Sequence, residues 1–169
     1  MNDNEQVVIA LFPDKATADE TVENLKQWDH AQSDVALGTI GVLYVENGEI
    51  KSDVPHKVGR GATVGVIIGV VAGVLAGPIG LLGGALAGGL LGGGVGAFLK
   101  QSLHLTEDEI AALGKELESG KVALVVNCDD FEVTATESIL QYHGGVVKSY
   151  AVPTVAVSQA AEAMEKPAE

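Results

Sequence analysis

The sequence is poor in the residues that most often carry chemistry. One cysteine, Cys128, in 169 residues excludes an internal disulfide and any site built from several thiolates. Aromatic side chains make up 4% of the chain, with a single tryptophan, which leaves no platform on which bases could stack. Ten basic residues stand against 23 acidic ones, a formal net charge of −13. The basic footprint that phosphate backbones require is missing, and nucleic-acid binding is not expected. The N-terminal MNDNEQ lacks the positive region and apolar run of a secretory signal, and a lone thiol suits a reducing compartment, so the polar parts are expected in the cytoplasm. The longest absence is of charge itself. Between Arg60 and Lys100 lie 39 residues without one charged side chain, and Thr63 alone among them carries a hydrogen-bonding side-chain group.

That gap divides the chain. Residues 1–58 hold 11 acidic and 4 basic groups, and residues 101–169 hold 12 and 4. The reading is of one acidic domain, in halves 1–58 and 101–153, interrupted by an apolar insert, 59–100, and followed by an alanine-rich acidic tail, 154–169, whose Val155–Met164 portion could form a short helix.

Val7–Phe12 is a β-branched apolar run ended by Pro13, which predicts a buried strand. A helix over Asp14–Trp28 follows, with capping-box spacing at Thr17 and Glu20 and an apolar face of Ala18, Val22 and Leu25. Leu37–Glu46 and Glu49–Val54 read as strands joined at Asn47-Gly48, residues that tolerate the positive φ of a tight hairpin turn. Beyond the insert, Thr106 and Glu109 form a capping box, Leu105 and Ile110 sit at staple positions, and Ile110, Leu113 and Leu117 make a stripe that ends before Gly120. Lys121–Cys128 is a strand, Asp130 caps a helix from Phe131 to His143 that stops at Gly144, and Val146–Val152 closes the set. Strand–helix–strand, insert, strand–helix–strand is the order of an α+β, ferredoxin-like sandwich: four antiparallel strands with two helices on one face.

The insert is where the glycine lies, 14 of the 22 falling between Gly61 and Leu99. Gly61, Gly65, Gly69, Gly73 and Gly77 keep a four-residue period, which slips by three and resumes at Gly80, Gly84, Gly88, Gly92 and Gly96. Residues four apart stack on one helix face, so each run paves a face along which another backbone can approach closely. Each mid-helix glycine costs about 1 kcal/mol against alanine in water, a sum that only close packing or lipid offsets. Gly77-Pro78 suits a stop followed by a first turn, giving helices of ~24 and ~33 Å over 61–76 and 78–99 beside a hydrocarbon core of ~30 Å. Both flanks join the same domain, so the hairpin must emerge and return on one side. In a bilayer its backbone groups would be paired internally, with Arg60 and Lys100 as anchors at the cytoplasmic interface. Alternatively, hairpins from many copies bury one another in a water-soluble assembly, a reading favoured by a turn, VLAGPIGLLGG, without polar side chains and by the absence of Trp and Tyr belts. A hairpin buried within one monomer is disfavoured, because one small sandwich cannot cover two helices apolar all round.

The run KVGRGATVGVIIGVVAGVLAGPIGLLGGALAGG, with LTEDEIAALGKELESGKVALVV after it, resembles the domain of unknown function number twelve sixty-nine, small bacterial and archaeal proteins described as membrane proteins. The matching parts are Arg60-Gly61, Thr106–Ile110, Leu113–Leu117, Gly120 and Ala123–Val126, within a similarity that covers residues 6–150. The resemblance implies membrane association and brings no activity with it. The strict glycine period and the tail after Pro153 depart from the family pattern.

Chemistry is sparse elsewhere. Cys128-Asp129-Asp130 with His143 is the nearest approach to a ligand cluster, but a helix of ~20 Å would separate its ends, so no metal site is expected. His56 and His104, near Arg60 and Lys100, could titrate at an interface, with simple exposure as the plainer reading. Gly59–Gly65 lacks the Lys-Ser/Thr of a phosphate loop. No nucleophile–base pair has local support, and no catalytic residue, cofactor or small-molecule substrate is expected. The sequence thus points to a non-enzymatic homo-oligomer at the cytoplasmic membrane. The alternatives are a soluble self-assembling scaffold or shell, and an anchored ligand- or ion-sensing module.

Overall fold

A computed structural model describes residues 6–56 and 106–151. Within them the chain is mixed α+β: a five-stranded antiparallel sheet, three α-helices and one short 3-10 turn.

Strand β1 (Gln6–Phe12) leads through Pro13 into helix α1 (Lys15–Ala31). The cap differs from the expected Thr17–Glu20 box. Asp14 is the N-cap, its Oδ1 accepting the Thr17 N–H at 2.8 Å and the Thr17 hydroxyl at 2.9 Å, so the helix begins one residue after Asp14 and Thr17 serves as donor. Strands β2 (Ile40–Glu46) and β3 (Glu49–His56) are joined at Asn47-Gly48, with φ of 54° and 77° as a two-residue hairpin turn requires. Strand β2 starts three residues later than expected, because the main chain of Leu37–Thr39 is committed to Asp29 and Asn127.

Helix α2 (Glu107–Glu118) carries the expected capping box: Glu109 N–H donates to Thr106 Oγ1 at 3.2 Å, and Thr106 N–H donates to Glu109 Oε2 at 3.0 Å. Leu113 and Leu117 of its stripe are buried. Leu105 lies outside the described residues, as does the Ile110 side chain of the staple. Strand β4 (Val122–Cys128) is buried along its whole length. The following helix opens as a 3-10 turn over Asp130–Glu132, capped from Asp129 and not from Asp130, before α3 (Val133–Tyr142) and strand β5 (Val146–Ala151). Helices α2 and α3 end alike. Gly120 (φ 98°) and Gly144 (φ 87°) turn the chain, while the N–H groups of Lys121 and Gly145 return to Glu116 and Leu140, taking up carbonyls the helices leave open.

The strand order is β3-β2-β4-β1-β5. Val8, Ala10 and Phe12 of β1, Ile40 and Val42 of β2, and Leu124 and Val126 of β4 point to one face, where they pack with Ala18, Val22 and Leu25 of α1 and Leu140 of α3. Gly145 sits against this core so closely that a Cβ there would stand 2.8 Å from the Phe12 ring and 2.9 Å from the Leu140 carbonyl. Val7, Ile9, Leu43, Ala123 and Val125 are buried on the opposite face. Helix α2 belongs to that second face: its Glu109 pairs with Lys148 at 3.1 Å, and Lys148 stands opposite Ile9. The sheet therefore has two helices on one side, as expected, and a third on the other. Lys15, 3.0 Å from Asp19, 3.1 Å from Asp53 and 5.6 Å from the centre of the Tyr44 ring, ties the start of α1 to the β2–β3 hairpin.

Candidate functional site

The glycines at 61, 65, 69, 73, 77, 80, 84, 88, 92 and 96, with Pro78, Arg60 and Lys100, lie outside the described residues, as do His104 and the tail from 152 onward. What the structure places is the end of the domain from which they depart.

His56 pairs with Ile40, Ile40 with Val126, Val126 with Val8, and Val8 with Ser149, a single row that crosses the sheet from edge to edge. Beside Ser149, Lys148 holds Glu109 in the first turn of α2. His56 and Ser149 at the two ends of this row stand four strand spacings apart, ~19 Å, and the Lys148–Glu109 pair brings the first turn of α2 to the face of the sheet next to the row. Gln6 and Ala151 pair with each other at this end too.

The same end is tied together by polar side chains, Glu132 and Asn127 buried among them. Glu132, only 1% exposed, accepts the Ala36 N–H at 2.7 Å through Oε1 and the Asp129 N–H at 2.8 Å through Oε2. Asp29 accepts the Leu37 N–H at 2.8 Å. Asn127 takes the Gly38 N–H on its carbonyl at 2.8 Å, gives its own N–H to Thr39 at 2.9 Å, and donates Nδ2 to the Gln6 carbonyl at 3.1 Å. Its side-chain oxygen lies where a Cβ on Gly38 would come within 2.4 Å, which excludes a larger residue there without movement. Gln6 Nε2 also donates to Asp130. The loop between α1 and β2 is therefore fastened to the end of β4 and the start of α3. Apart from Asp129 and Glu132, three positions apart, these contacts leave no local spacing signal, because they join residues as much as 124 positions apart.

Cys128 points into the core between sheet and helices, and burial pushes its thiol up to about 12, against the opposing pull of the Thr136 hydroxyl. A thiol held protonated in this way is no nucleophile at neutral pH. His143 lies beyond the far end of α3, its ring 5.3 Å from that of Tyr142 and edge-on to it. The structure does not bring His143 together with Cys128, Asp129 and Asp130: the intervening helix is ~15 Å long. Among the described residues no group of three His, Cys, Asp or Glu side chains is arranged to hold a metal ion, and no helix is long and apolar enough to cross a membrane.

No family model, curated protein or solved structure matches the chain, so the resemblance rests on Arg60-Gly61, Thr106–Ile110, Leu113–Leu117, Gly120 and Ala123–Val126 alone.

Proposed function

We propose that the chain is a non-enzymatic structural protein. It self-associates through a glycine-zipper hairpin, residues 61–99, embedded in the cytoplasmic membrane, with the acidic domain facing the cytoplasm and lipid and further copies of the chain as its partners. The observation that carries this reading is that the strand ending at His56 and the helix that follows Thr106 belong to one sheet-based domain, so the 57–105 stretch leaves and rejoins the same body, as an even-pass hairpin requires.

The order β5-β1-β4-β2 supports a ferredoxin-like ancestry for the domain, with β3 added at one edge and α2 added on the second face. The 39 uncharged residues and the resemblance to the membrane-associated family support the placement of the hairpin. The apolar turn at Gly77-Pro78 favours the second reading, a soluble assembly with hairpins packed between subunits.

Fractionation of cells that express the full chain separates the two. Retention in membranes through an alkaline carbonate wash, with release only by detergent, is the expected result. A large uniform particle in the soluble fraction without detergent would overturn the membrane reading in favour of the scaffold.

A further inference from the structure

We propose that Asn47 is a site of spontaneous deamidation, a modification at the end of the domain opposite the insert and independent of where the insert resides. Glu46, Asn47 and Gly48 are all exposed, and, apart from its two chain neighbours, nothing lies within 4 Å of a Cβ position on Gly48, so the tip of the turn stands in open space. A two-residue turn closes its hydrogen bonds across Glu46 and Glu49, which leaves the Gly48 N–H outside the ladder. Attack needs rotation about the Asn47 backbone, and the tip is built to open. The last pair between β2 and β4 is Leu43 with Ala123, so the hairpin runs on past β4 as a two-stranded ribbon, held at Tyr44 by Lys15. Its outermost pair sets Glu46 directly opposite Glu49, like charges that weaken a ladder, and Lys51 is hydrogen-bonded to the Glu49 carboxylate, at 3.0 Å, and reaches Glu46 only through space.

In the reaction, the Gly48 nitrogen gives up its proton and bonds to Asn47 Cγ. The bond from Cγ to Nδ2 breaks and ammonia leaves with that proton, closing a succinimide. Water then adds to either ring carbonyl, its hydroxyl going to carbon and its hydrogen to nitrogen, and yields Asp or isoaspartate at position 47. Either product sets a third negative charge between Glu46 and Glu49. Isoaspartate also lengthens the turn by one backbone atom, which the two-residue geometry cannot hold, so pairing is lost back toward Leu43 and Ser52.

The test is incubation of the purified full chain, in mildly acidic and mildly alkaline buffer, followed by tryptic mass spectrometry of the peptide spanning 27–51. The expected result is progressive amide-to-acid conversion with isoaspartate in excess, faster in alkali, while Asn24, followed by Leu25 within α1, keeps its amide. Glu46→Thr, which removes the opposed charges, is expected to slow conversion about two- to fivefold. If Asn47 keeps its amide as long as Asn24 does, or if Glu46→Thr changes nothing, the proposal is overturned. Membrane association is read in the same samples and is expected to be the same before and after conversion; its loss on conversion would contradict the independence claimed here.

Discussion

The Glu132 carboxylate accepts the backbone N–H of Ala36 at 2.7 Å across 96 positions of sequence. The same side chain takes the Asp129 N–H, so one buried group serves two donors from different parts of the chain. Glu132→Ala removes this acceptor from both N–H groups, one buried and one half-buried, and is expected to cost about 2–4 kcal/mol, with Glu132→Gln, which keeps one acceptor, intermediate. Hydrogen exchange at Ala36 is the direct reading. Unchanged protection there in Glu132→Ala would show that the carboxylate does not hold the loop.

The caps of α1 and α2 make the domain sensitive to acid. The Thr17 N–H, with its hydroxyl, holds Asp14 below its ordinary 3.8. The Thr106 N–H, with Lys148 beside it, holds Glu109 below its ordinary 4.5. Both groups are more acidic folded than unfolded, so their contribution is complete above about pH 5 and is lost as pH falls through the depressed values. Helix fraying on acidification, followed by exchange at the first turns, is expected at both ends. Asp14→Asn keeps a cap without the charge and should remove the acid response of α1 alone. A response of α1 that persists in that variant would assign the effect to other groups.

Cys128 is expected to be inert in the folded protein. With its thiol pushed up to about 12 in the core, only ~1 in 10,000 copies carries the reactive thiolate at pH 8. Alkylation should be slow in native buffer and fast in denaturant. Equal rates in the two conditions would mean that the strand end opens readily.

Replacing Gly69 or Gly88 with leucine is expected to reduce the size of the assembly and to leave the circular dichroism of the α+β domain unchanged, because each substitution fills the face along which helices are proposed to meet. Sizing in detergent and in its absence reads the effect. An assembly of the original size in both variants would exclude the zipper as the contact.

What was legible in the sequence is what depends on near neighbours. The Thr106–Glu109 box, the Asn47-Gly48 turn and the stops at Gly120 and Gly144 each rest on a few adjacent residues, and each is found where expected. The cap of α1 was misplaced, though its start was within one residue, because Asp14 and Thr17 are both good caps and the choice fell to the residue directly after Pro13. The start of β2 depended on Asn127, and the fixing of the α1–β2 loop on Glu132; neither leaves a pattern in the local sequence. Helix α2 was expected as a bridge, but its place on the second face depends on Lys148, which is 39 positions from Glu109.

The strand order also has a consequence for how the protein is made. Both neighbours of β1 in the sheet, β4 and β5, follow the 57–105 stretch, and so does one of the two neighbours of β2. At roughly 5–20 residues per second, the ribosome releases the whole glycine-rich stretch seconds before the sheet has its central strand. The β2–β3 hairpin is the only part of the sheet that can form ahead of it. The apolar segment is therefore released before the domain that carries it can fold, and β1 and β2 wait unpaired by β4 alongside it.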